Sequence, residues 1–105
     1  MAMWYNRKGT PISTRRASYL LGRPKYKILK QTKTKNLKYW VSTVWLGLDH
    51  NFNLRSKPLI FETMVFPHNV IGGVLNYGDL DMDRYSTEKE ALRGHNRMVK
   101  KWENL

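Results

Sequence analysis

The sequence contains no cysteine, which excludes disulfides, thiolate metal sites and cysteine nucleophiles. No apolar run approaches the roughly 18 residues of a membrane span, and the Met1 start lacks the hydrophobic stretch of a signal peptide. These absences point to a soluble intracellular protein with no membrane partner. Acidic residues are also missing from the whole of positions 1–48. That segment carries eleven Lys or Arg, whereas from Asp49 onward eight basic residues meet eight acidic ones. The formal charge of +11 therefore resides in the first half. A field of one sign over half a small protein attracts polyanions and speeds their encounter.

At 105 residues, 41% apolar and 12% aromatic, the chain has the size and composition of one small α+β domain, 1–105, with one modest core. Residues 1–12 read as an extended basic and aromatic arm, anchored by Trp4 and Tyr5 and turning at Gly9 to Pro11. Ser13 or Thr14 caps a short helix to about Leu21, stopped by Gly22 and Pro24. From Lys25 the pattern has period two, which predicts a strand to Thr32. The polar group from Thr32 to Leu37 predicts a turn, with Asn36 suited to a left-handed conformation.

Strand two spans about Lys38 to Leu46 and carries bulk on both faces, as a central strand does. Strand three covers Leu59 to Phe66, after a loop over 47–58. The stretch from Pro67 to Asp83 reads as a long irregular loop. Its apolar residues Val70, Ile71, Val74 and Leu75, around Gly72 and Gly73, either fold back over the sheet edge or dock a partner or a second copy of the chain. Thr87 and Glu90 have capping-box spacing, and Ala91, Leu92, His95, Met98, Val99 and Trp102 form one helical stripe. The expected fold is thus a short N-terminal helix, a three-stranded antiparallel sheet, and a C-terminal amphipathic helix packed on one face.

The blocks VSTVWLGLDHNF, PLIFETMVF and RYSTEKEALRGH, with the opening WYNRKGTPIS, resemble a family of small uncharacterised proteins of bacteriophages and prophages. Relatives in that family tend to have acids in the first helix, where this chain has Arg15 and Arg16. The resemblance implies a viral setting and the host cytoplasm: an accessory protein, a host-directed inhibitor or a minor virion component. It implies no reaction, cofactor or functional residue.

Two constellations carry possible chemistry. Asp49, His50, Glu62 and His95 have the side chains of a metal-dependent hydrolase or a nucleotide-binding pocket. No spacing among them is a metal signature, and the competing reading makes Asp49 and His50 turn residues, Glu62 the partner of Arg84, and His95 a satisfied core histidine. The second constellation is Arg7, Lys8, Arg15, Arg16, Lys27, Lys30, Lys33, Lys35 and Lys38, interleaved with Trp4, Tyr5, Tyr26, Tyr39 and Trp40. Lysines that follow phosphates beside rings that stack on bases suit single-stranded nucleic acid. Alternatively, the rings are packing residues and the lysines a solvated face. The partner expected on charge is nucleic acid, or an anionic surface of a host nucleic-acid-handling or defence protein.

Overall fold

The computed structural model describes residues 3–49, 57–68 and 80–105. A two-residue strand β1 (Trp4–Tyr5) pairs antiparallel with β2 (Pro11–Ile12). Two short helices follow, α1 (Thr14–Leu21) and α2 (Pro24–Lys27). Strands β3 (Ile28–Lys33), β4 (Tyr39–Trp45), β5 (Phe61–Pro67) and β6 (Asp81–Tyr85) then form an antiparallel sheet in sequential order, and α3 (Glu88–Glu103) closes the chain. The architecture is α+β with four strands in the main sheet rather than three.

Both longer helices begin where their caps predict. The Ser13 side chain accepts from the Arg16 backbone N–H, and the Thr87 side chain accepts from that of Glu90 while its hydroxyl donates to the Glu90 carboxylate. The segment from Lys25 to Lys27 is helical, not extended. Pro24 presets the first helical residue, and the Arg23 carbonyl accepts from Tyr26 and Lys27 to close a single turn. The fourth strand falls partly within the segment expected to be a loop. Asp81 and Asp83 disfavour a strand by propensity, but β6 is an edge strand and can place its polar side chains toward water.

Strand β4 is internal, between β3 and β5. Val41, Thr43 and Trp45 are buried on one face, while Trp40, Ser42 and Val44 are half-buried on the other. Helix α3 lies on the first face. Its buried line is Ala91, Gly94, His95 and Met98, with Val99 and Trp102 half-buried. Leu92 of the expected stripe is 39% exposed, because it sits one residue off that line. Gly94 takes the position closest to the sheet. A Cβ there would fall 2.2 Å from the Tyr85 ring, so the helix and β6 approach as closely as they do only because that carbon is absent.

The N-terminal hairpin is tied down through its backbone. Tyr5 N–H donates to the Gly47 carbonyl at 2.8 Å, and the Trp45 indole N–H donates to the Tyr5 carbonyl at 3.0 Å. Gly47 has φ +78°, and a Cβ on it would meet the Trp45 ring at 2.7 Å and that of Trp4 at 3.0 Å. In the β3–β4 turn the left-handed residue is Leu37, φ +62°, not Asn36. Asn36 is committed elsewhere: its amide donates to the Trp102 and Glu103 carbonyls, and its oxygen accepts from Lys38 N–H.

Two substitutions involving glycine should therefore act against the usual rules. Gly94→Ala would ordinarily strengthen a helix interior. Here it should destabilise by about 1–3 kcal/mol through overpacking against Tyr85. Leu37→Gly should stabilise by up to about 1 kcal/mol, because an exposed left-handed leucine is strained. Urea midpoints of the two variants check both signs.

Candidate functional site

The two constellations have different fates. Glu62 and His95 stand on opposite faces of the sheet. Glu62 pairs across the sheet with Val44 and Arg84, on the face away from α3, and its carboxylate accepts from Arg84 Nε at 2.9 Å. His95 reaches the other face from α3. Asp49 accepts from Leu59 N–H at 3.0 Å and so shapes the loop that leaves β4. His50 lies outside the described residues, as do Val70, Ile71, Val74 and Leu75. No group of three metal-binding side chains is assembled among the described residues.

His95 is completely buried, and both ring nitrogens are bonded. Nδ1 is 2.7 Å from Thr43 Oγ1 and Nε2 is 2.8 Å from Thr32 Oγ1; Thr43 Oγ1 is in turn 2.5 Å from Thr63 Oγ1. The four side chains make a polar ladder from β3 through α3 and β4 to β5. Burial in this setting, reinforced by the Lys30 charge, lowers the His95 pKa from 6.5 to about 4. The imidazole is thus neutral at pH 7, with one nitrogen donating and the other accepting.

The basic constellation lies on elements that pack one on the next. α1 packs on α2, α2 on β3, and β3 is the edge strand of the sheet. Arg15 and Arg16 are on α1, Arg23 is before α2, Lys25 and Lys27 are on it, and Lys35 and Lys38 are in the turn after β3; Lys30 lies on the α3 face of β3 and Lys33 on the other, so this basic ridge takes in both faces of the β3 edge. Among the described residues three ion pairs form: Arg7–Glu88, Arg84–Glu62 and Lys101–Asp81. Of the eleven cations in the first half, only Arg7 has a carboxylate partner among the described residues. Lys30 donates to the Asn96 side-chain oxygen, a neutral group.

Arg7, Lys8 and Arg16 share a groove of about 790 Å³ with Ile12, Leu20, Tyr26 and the start of α3. Arg7 is held by Glu88 and by the Tyr26 carbonyl, with its guanidinium 5.4 Å from the Tyr26 ring centre. It serves the docking of the hairpin onto α3, so it is the least available cation of the set. Sequence reasoning misses Arg23 and Tyr19 as site residues. Tyr19 is 53% exposed, with the guanidinium groups of Arg16 and Arg23 each 5.3 Å from its ring centre, and its hydroxyl accepts from Arg23. Spacing in the sequence signals only part of this: Arg16 and Tyr19 are three apart on α1, whereas Arg23 lies beyond the end of α1 in an extended conformation.

The aromatic residues divide. Tyr26 packs edge-on against Trp45 and Tyr39 edge-on against Trp102, so both are packing residues. Trp40 is on the sheet face opposite α3, beside His68. Among the described residues no helix is long and apolar enough to cross a membrane. The chain matches no family model, no curated protein and no solved structure.

The ladder generates a pH dependence. Well above pH 6.5 neither folded nor unfolded His95 is protonated, and stability is complete. Between pH 6.5 and 4 the unfolded chain takes up a proton that the folded chain refuses, so stability falls by up to about 3 kcal/mol and then levels. His95→Gln should lower stability at pH 7 and abolish this component. Urea unfolding of both proteins at pH 7 and pH 4.5 isolates it from the titration of carboxylates that they share.

Proposed function

We propose that the protein is a non-enzymatic bacteriophage accessory protein that binds nucleic acid through the basic ridge of its first half. What supports this reading is the succession of cations on α1, α2, β3 and the β3–β4 turn, elements that pack one on the next, without carboxylate partners among the described residues. A solubility coat would intersperse both signs. Counterion release from a polyanion that meets several of these side chains at once is favourable at low salt and weakens steeply as salt rises. The ridge presents no helix suited to the reading of a major groove, since α1 has 8 residues and α2 has 4. Binding to the phosphate backbone, without sequence specificity, is what such a surface provides.

A viral setting, which rests on the sequence resemblance, gives the activity a use: protection or displacement of nucleic acid handled by the host. The same surface would suit an acidic host protein, and the experiment that follows separates the two. Lys33, Lys35 and Lys38 are exposed, and the turn that carries Lys35 and Lys38 docks on the end of α3 through Asn36 and the Lys35 backbone rather than through these side chains. The Lys35 hydrogen bond to Glu103 is made by its backbone N–H.

The variant carrying Lys33→Glu, Lys35→Glu and Lys38→Glu should retain its circular dichroism and lose at least 10-fold in affinity for labelled DNA and RNA at 50 mM salt. The slope of log affinity against log salt should become shallower by about 0.7 for each phosphate of a single strand that the variant no longer neutralises. Unchanged affinity and slope would remove the ridge from the binding surface.

A further inference from the structure

We infer that the bound polyanion is single-stranded nucleic acid, with its bases stacked on the sheet face opposite α3; this rests on the nucleic-acid reading above. The register fixes the platform. Lys33 is directly opposite Trp40, and Trp40 is directly opposite Phe66, so a cation and two rings stand side by side across β3, β4 and β5. Neighbours of this kind have Cβ atoms about 5 Å apart. All three belong to the alternate set from Val41, Thr43 and Val65, the residues buried beneath α3. His68 follows at the end of β5 with its ring centre 6.1 Å from that of Trp40, and its N–H donates to the Lys38 carbonyl at 2.8 Å. Trp40, Phe66 and His68 are half-buried, while Lys33 and Lys38 are exposed.

This arrangement selects among polyanions. A duplex keeps its base faces stacked inside and offers the rings nothing, whereas an unpaired base can place one face on Trp40 and its phosphate near Lys33 or Lys38. An acidic polypeptide would engage the lysines but bring no planar group to the rings. A second copy of the chain would bring Lys33 and Lys38 of both molecules toward each other, which like charge opposes.

The test uses the full chain and labelled 12-nucleotide oligothymidine, the RNA equivalent, and a duplex of the same length, read by fluorescence anisotropy. Single strands should bind at least 10-fold more tightly than the duplex. Trp40→Leu keeps apolar bulk without a ring and should weaken single-strand binding about 10-fold, with the salt slope unchanged because every phosphate keeps its cation. A second readout needs no loss of the residue. Of the indole N–H signals in a nitrogen–proton spectrum, the one assigned to Trp40 by Trp40→Phe should shift most on addition of oligothymidine, and that of Trp45, buried under α3, should stay. Equal affinity for single strand and duplex, with a Trp40 signal that does not move, would overturn the platform and leave the ridge standing. Competition by polyglutamate as strong as by oligothymidine would also overturn it. Absence of binding to any nucleic acid at low salt would overturn both readings together.

Discussion

The structure depends on a polar contact in the middle of its core. His95 can be buried there only while Thr32 and Thr43 hold its two nitrogens, because an unbonded polar group in that position would cost more than most single contacts contribute. Those hydroxyls come from neighbouring strands, and the histidine comes from the helix. A slip of β3 or β4 by one residue would carry its threonine to the other face. A rotation of α3 would carry His95 off its line and put a Cβ-bearing residue where Gly94 meets Tyr85. Apolar packing alone tolerates such errors, but the ladder and the missing Cβ tolerate neither. One register of sheet and helix satisfies both.

Once α3 is fixed on that face, the opposite face and the β3 edge are left for other purposes. The remaining ion pairs hold the periphery to this frame. Asp81 accepts from Lys101 Nζ and the Trp102 indole, and the hydrogen bond from Lys101 in particular keeps its carboxyl below the usual range. Arg7 and Glu88 join the N-terminal hairpin to the other end of α3. Several acids of the second half are thus occupied with internal or second-half partners. They do not neutralise the ridge, and this division of labour explains how a charge imbalance along the sequence becomes a charge imbalance in space.

The elements legible in the sequence were those whose signal is local. Ser13 and Gly22 bound α1, Thr87 and Glu90 open α3, and bulk on both faces marks β4 as internal. What was not legible depended on partners distant in the chain. Asp81 to Tyr85 resembles a loop until Glu62 pairs with Arg84 and β5 supplies its ladder. Lys25 to Lys27 alternates like a strand, yet Pro24 and the Arg23 carbonyl settle it as a turn of helix. Asn36 has the propensity for a left-handed residue, but the carbonyls at the end of α3 claim its amide, and Leu37 takes the strain instead. At the candidate sites the types of residue were informative and their placement was not: nothing in the spacing of Glu62 and His95 tells that a sheet separates them.

The lysines of β3 have a competing structural explanation. An edge strand with unpaired backbone groups invites pairing with another chain, and lysines blunt that edge. Lys30 and Lys33 suit this role on either face of β3, and no ligand is needed to account for them. Edge protection does not extend to Arg15, Arg16, Arg23 or Lys25. These lie on or beside helices, whose backbone is internally satisfied and offers no template. Nor does it explain why Arg16 and Arg23 are gathered around the exposed Tyr19 ring, which limits their freedom. Preorganised cations lose less entropy when an anion arrives. The edge requirement therefore explains two of these cations and leaves those on and beside the helices without a structural role of that kind.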